Sequence, residues 1–221
     1  MNGLNGLNGL DGPTRLTEPI PLWFAVAYTA FTAVLVAYYW REFGPTNFVF
    51  FCDVALFLGL ASIWTGDPLW ASMAAVGVLV PQLVWQIDFI GGLLKRPPLG
   101  MTAYMFDSGI SRFARTLSFF HFWLPLALLF IVGRLGYDPR ALSAWTVTAW
   151  ALMLVAYFLL PPPGVPKAFP GQPQNVNYVY GPSGTRRQTW MPSGWYLVGL
   201  MIVLPVTCYL PAHALLRRWA G

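Results

Sequence analysis

A chain of 221 residues that is 57% hydrophobic and only 10% charged, with a mean hydropathy of +0.55, carries less than half the charge of a soluble domain, which holds about 25%. That composition excludes a water-soluble globule and, at this length, predicts one helical bundle with no separate soluble domain large enough to keep its own core. The net charge of +5 is distributed as single and paired Lys and Arg beside apolar runs, the pattern that orients membrane proteins, so nucleic acid is not an expected partner.

The N-terminal segment 1–19 opens with the triplet Asn-Gly-Leu repeated three times and lacks the basic region and cleavage site of a signal peptide; it reads as a flexible leader. From 20 to 221 the expectation is a single all-α, polytopic membrane domain of six transmembrane helices, since about 20 apolar residues cross a bilayer core. The first run is Ile20 to Trp40, opened by Pro19 and Pro21 and closed by Arg41 and Glu42. The second is Asn47 to Trp64, ended by Thr65, Gly66 and Asp67, and the third is Leu69 to about Ile90, interrupted by Pro81. Thr116 to Val132 forms the fourth, and Ala141 to Leu160, stopped by Pro161, Pro162 and Pro163, the fifth. The sixth is Gly194 to Leu216, with kinks expected near Pro205 and Pro211. Trp23, Tyr39, Trp40, Trp64, Trp70, Trp195, Tyr196 and Trp219 sit near run ends and read as interfacial belts.

Six spans put both termini on one side. Arg15, Arg134, Arg140, Arg217 and Arg218 fall there, whereas Arg41, Lys95, Arg96, Arg112, Arg115, Lys167, Arg186 and Arg187 fall on the other, so the second side is expected to be cytoplasmic. Both long connections, about Gly91 to Arg115 and the loop 161–193, lie on that second side. The latter contains NVNYVYGPSG, too aromatic for a disordered linker, and is predicted to fold back over the bundle, partly ordered.

The stretch Asp107 to Pro125 carries the most chemistry. Asp107 is the expected N-cap of a helix with Ser108 and Gly109 in its first turn; Arg112 and Arg115 sit at the membrane surface, and His121 is driven into an apolar run. Pro125, four residues on, has no N–H, so the carbonyl of His121 is left without its helical donor. At about 1.5 Å per residue, Asp53 lies roughly 9 Å inside the second span, and Gln82, Gln86, Asp88 and His121 fall in the same leaflet. Gln82 and Gln86 share a helical face, with Trp85 and Asp88 on a neighbouring one. Such a gathering is either interhelical hydrogen bonding or a pocket. Asp88, close to the boundary, is open to plain solvation, and Arg112 and Arg115 to lipid phosphates.

Cys52 and Cys208 lie in apolar runs and read as small packing residues; no His, Cys or carboxylate set has ligand spacing, and neither metal nor cofactor is expected. The six-run layout, with a polar start to the second run and a lone histidine in the fourth, resembles the androgen-induced-gene family of six-span integral membrane hydrolases, and NVNYVYG resembles the Asn-Tyr element of related bacterial six-span proteins. The resemblance implies hydrolysis of lipid esters by a threonine and a histidine, placed at Thr46 and His121; Cys52 is the other candidate nucleophile, and needs a base to form a thiolate.

The functional expectation is an integral membrane enzyme, a hydrolase or acyltransferase, acting on a lipid or hydrophobic ester or acyl substrate in a pocket between the second, third and fourth spans. His121 serves as general base, Asp53 orients it, and Thr46 or Cys52 is the nucleophile or positions water. Gln82 and Gln86 hold the polar end of the substrate, and Asn47, Trp85, Asp88, Arg112, Arg115, Asn177 and Tyr178 complete its surroundings. The alternative is a non-catalytic membrane subunit or lipid-binding protein whose polar cluster is structural. Expected partners are membrane lipids and a hydrophobic small molecule, in a bacterial-type inner membrane.

Overall fold

A computed structural model describes residues 19–221; the expected leader, apart from Pro19, lies outside the described residues. Among these the protein is all-helical, and five helical stretches are long and apolar enough to cross a membrane: Leu22–Glu42, Pro68–Leu93, Arg112–Leu135, Ala141–Leu159 and Ser193–Ala220. A shorter apolar helix, Phe51–Thr65, completes a polytopic bundle. In chain order the α-helices are α1 (Leu22–Glu42), α2 (Phe51–Thr65), α3 (Pro68–Leu93), α4 (Arg112–Ser118), α5 (Phe120–Leu135), α6 (Ala141–Leu159), α7 (Ser193–Leu204) and α8 (Leu210–Ala220). The outer surface is apolar: Leu22, Val26, Leu126, Phe158, Leu159 and Ile202 are all more than half exposed, as side chains facing acyl chains are and those of a soluble domain are not.

Helix α3 is the post around which the others stand, packing against α2, α5, α6, α8 and the π-helical turn between α7 and α8. Its residues 71 to 78 are all buried, and most are small, which lets neighbouring backbones come close without a hydrophobic driving force between helices. The closest approach is at Gly77, where a Cβ would sit 1.9 Å from Cε2 of the fully buried Trp145 on α6. The α2–α3 corner is tight because Gly66 takes the left-handed conformation (φ 70°) and Asp67 then caps α3 through its side chain, accepting from Leu69 N at 2.9 Å.

Three local expectations are revised. The second apolar run is not one helix: Pro45–Val49 is a 3₁₀ turn, Phe50 is extended, and only Phe51–Thr65 is α-helical. Helix α4 is capped by Ser111, which accepts from Ala114 N at 3.0 Å; Asp107 instead closes its own turn, accepting from Gly109 N at 2.8 Å, because Gly109 favours turn over helix. Tyr39 is no belt residue but is buried against Ser118, whereas Trp23, Trp40, Trp64, Trp195 and Trp219 are exposed near helix ends. The expected kink in the last span is a π-helical turn, Pro205–Tyr209, between α7 and α8.

Gly77→Ala is expected to cost about 1–3 kcal/mol, since Trp145 is enclosed and has nowhere to retreat. Thermal unfolding in detergent checks this against Gly199→Ala, whose Cβ meets nothing within 4 Å and leaves the midpoint unchanged.

Candidate functional site

The break ahead of α2 leaves backbone groups that, in a membrane, need a protein partner. The loop 161–192 supplies it. Asn177 accepts from Phe51 N at 3.0 Å and donates to Val49 O at 2.9 Å, one amide bridging both sides of the gap. Asn177 itself sits at φ 56°, in the left-handed region that asparagine tolerates. Asn175, also left-handed, ties the loop together by donating to Gly181 O and Ser183 O and accepting from Tyr180 N. Val176, Val179 and Tyr180 pack onto Met153 and Ala156 of α6 and Leu197 of α7, and the loop lies so close at Gly171 that a Cβ there would meet the carbonyl of Glu42 at 1.9 Å. The loop is therefore a docked roof.

Beneath it is a cavity of about 510 Å³, within the range of small-molecule sites, bounded by α2, α3, α4–α5, the π-helical turn and the loop. Its wall is largely aromatic and aliphatic, and its polar groups come from several elements: Asn47 and Asp53 flank the break, Gln82 comes from α3, His121 from α5, and Asn177 and Tyr178 from the roof. Asp53, 2% exposed, has weak company: Asn47 Nδ2 donates to its Oδ2 at 3.4 Å and Cys52 Sγ lies 3.7 Å from the same oxygen, while Oδ1 has no partner. Gln82, 3% exposed, likewise has an unpartnered Oε1. His121 stacks on Trp85 (ring centroids 4.5 Å, 23°), and its Nδ1 lies 2.8 Å from the carbonyl of Ser118. A carbonyl only accepts, so Nδ1 carries the proton and Nε2 is left as the acceptor of the neutral ring.

Not every predicted site residue reaches the cavity. Cys52, Asn47, Trp85, Asn177 and Tyr178 line it with Asp53, Gln82 and His121; Thr46, Gln86, Asp88, Arg112 and Arg115 do not. Gln86 instead donates to the carbonyl of His121 at 3.0 Å, filling the vacancy that Pro125 creates and fastening α3 to α5. Asp88 is not solvated but 1% exposed, its two oxygens taking Leu99 N, Gly100 N, Thr102 N and Thr102 Oγ1 at 2.7–2.9 Å, so it anchors the connection after α3. Arg115 reaches the carbonyl of Met105 at 3.3 Å, and Arg112 is exposed. Asp53 does not hydrogen-bond to His121; its neighbours are those named above.

Sequence reading missed Tyr39, Tyr104, Ser118, Lys167 and Cys208, all of which line the cavity. Ser118 was within reach of inference, one helical turn before His121; Tyr104 and Lys167 lie in irregular segments whose path no periodicity reveals. Desolvation raises the Tyr178 phenol to about 12 and, with the neighbouring Tyr39, lifts that of Tyr104 well above its ordinary value, so both remain neutral hydroxyls at physiological pH. Among the described residues no three His, Cys, Asp or Glu side chains gather to hold a metal ion. No protein-family model, no curated protein and no solved structure matches this chain, so no relative assigns roles to these residues.

Asn177→Ala strands Phe51 N and Val49 O, each costing about 1–3 kcal/mol where water cannot reach them. A lowered unfolding midpoint together with faster limited proteolysis within the loop 161–192 is the expected result; an unchanged cleavage rate would show that the roof is held without this amide.

Proposed function

We propose that this protein takes an amphiphilic small molecule from the bilayer and holds its polar end between Asp53, Gln82 and His121. The observation that carries this reading is that the submerged polar residues divide into two sets. Gln86 and Asp88 are fully engaged within the protein and act as glue. Asp53 and Gln82 are nearly as buried, line the cavity, and keep an oxygen unpartnered, which polar groups serving only to hold helices together do not do. The apolar wall, including Phe50, Val78, Leu200 and Leu204, suits the molecule's hydrocarbon part. A bacterial-type inner membrane is the proposed location, since apolar helices and not closed barrels are the spanning elements here.

Native mass spectrometry of protein released from a mild detergent tests the proposal. A co-purifying mass is expected, and Gln82→Leu, which keeps side-chain volume while deleting the amide, is expected to lower its occupancy about tenfold, the equivalent of about 1.4 kcal/mol. A wild-type protein that carries no such mass, and whose unfolding midpoint no added amphiphile raises, would refute it.

A second reading, hydrolysis of a lipid ester or other acyl substrate, rests on His121: its ring lines the cavity with Nε2 as acceptor, the arrangement for taking a proton from an attacking water and returning it to the leaving group. Water serves better than Thr46 here, since Thr46 is not on the cavity wall. His121→Ala then abolishes turnover of a fluorogenic long-chain ester while leaving the unfolding midpoint within a few degrees, and a wild-type protein without turnover would remove this reading alone.

A further inference from the structure

Resting on the amphiphile-binding reading above, the hydrogen-bonding inventory of the cavity specifies what kind of polar end it takes. We infer that the site accepts a primary ammonium carried on an apolar chain, a long-chain amine or amino alcohol, and discriminates against phosphate and neutral alcohol heads.

The inventory is one-sided. Spare acceptors are Asp53 Oδ1 and Gln82 Oε1, joined by the His121 ring with Nε2 as its acceptor. The nearby donors are already committed: Asn47 Nδ2 to Asp53, Asn177 Nδ2 to Val49 O, and the Ser118 hydroxyl to Ala114 O while Tyr39 donates to it. A primary ammonium brings three donors and no acceptor, whereas an alcohol brings one donor together with lone pairs that find no donor here. A phosphate brings acceptors alone.

Charge points the same way. Asp53 is in the first turn of α2, where the helix N-terminus favours the anionic carboxylate. Among the described residues no basic side chain pairs with it. Arg112 and Arg115 are off the cavity wall, and Lys167, exposed in the roof loop, is engaged with the carbonyl of Pro170 at 3.4 Å. A buried carboxylate without a counter-ion is costly, and a ligand cation removes that cost where a neutral head does not. The rings of Tyr39, Phe51, Trp85, Tyr104 and Phe120 also line the cavity, and aromatic faces favour a desolvated cation.

The experiment uses the full chain in maltoside detergent with three photoreactive probes sharing one diazirine-bearing twelve-carbon chain and ending in an amine, an alcohol or a phosphate; the amine is protonated at neutral pH. Labelled peptides are mapped by mass spectrometry and labelling is titrated. Saturable labelling of peptides from α2, α3 and α5 by the amine is expected, with apparent affinity at least about tenfold above that of the alcohol and no saturable labelling by the phosphate. Asp53→Asn, isosteric and uncharged, is expected to weaken the amine about tenfold and to leave the alcohol within about twofold. Equal labelling by amine and alcohol, preference for the phosphate, or a parallel loss of amine and alcohol labelling in Asp53→Asn overturns the ammonium inference while the amphiphile reading stands. Absence of cavity labelling by every probe overturns both. Should Asp53→Asn fail to fold, the wild-type ranking of the three probes decides.

Discussion

A backbone carbonyl or N–H within a bilayer cannot borrow a partner from water, and this chain breaks its helical ladder at two places next to each other in space. Pro125 withholds the donor that the carbonyl of His121 would have had, and the extended Phe50 parts the 3₁₀ turn from α2. Each break is mended by a carboxamide from a distant segment, Gln86 from α3 and Asn177 from the roof loop. These two repairs determine where the walls of the cavity stand: the first fixes α3 against α5 at the level of His121, and the second fixes the roof against the start of α2 one helical turn from Asp53.

The carboxylates Asp53 and Asp88 lie at similar depth in burial but in opposite circumstances. Asp88 is saturated by the four donors of the segment 99–102, which converts a costly submerged acid into an anchor for the connection after α3. Asp53 has a helix N-terminus, one long amide contact and a thiol, leaving an oxygen bare. The same residue type at the same exposure is thus structural in one place and available for a ligand in the other, and the difference lies wholly in the surrounding donors. For that reason the burial of an acid in an apolar run does not by itself identify its role.

Apolar run length and proline placement made the helical bundle readable, because both act within one segment: six apolar runs became five long helices and one short one. The depth at which Asp53, Gln82 and His121 meet was likewise readable, since rise per residue and alternating direction set it. What the residues do with their hydrogen bonds was not. The Gln86 contact required knowing the rotation of α3 relative to α5, and Gln82, one turn away on the same face, turned out to have a different fate. The break at Phe50 was hidden because Asn47 to Trp64 is apolar enough for a continuous helix, and the residue that stabilises the interruption lies more than 120 positions further on. Tyr39 showed the limit of the belt rule: a tyrosine at a helix end faces lipid headgroups or the interior depending on which neighbour offers its hydroxyl a partner, and Ser118 does.

The roof has a double task that ties its stability to occupancy of the cavity. Asn177 and Tyr178 lie next to each other, the first spanning the α2 break and both facing the cavity. Moving the loop away to admit a molecule from above would uncover Phe51 N and Val49 O as well as the aromatic wall, so opening there costs hydrogen bonds and apolar contacts together. Passage between helices breaks neither, because the outer surface is already apolar and α7, interrupted by its π-helical turn, borders the cavity through Leu200, Leu204 and Cys208. A π-helical turn leaves carbonyls offset from the regular ladder and lets a helix flex without unwinding. Lateral entry beside α7, under a roof that stays shut, is therefore the less costly route for a molecule whose own solvent is the lipid.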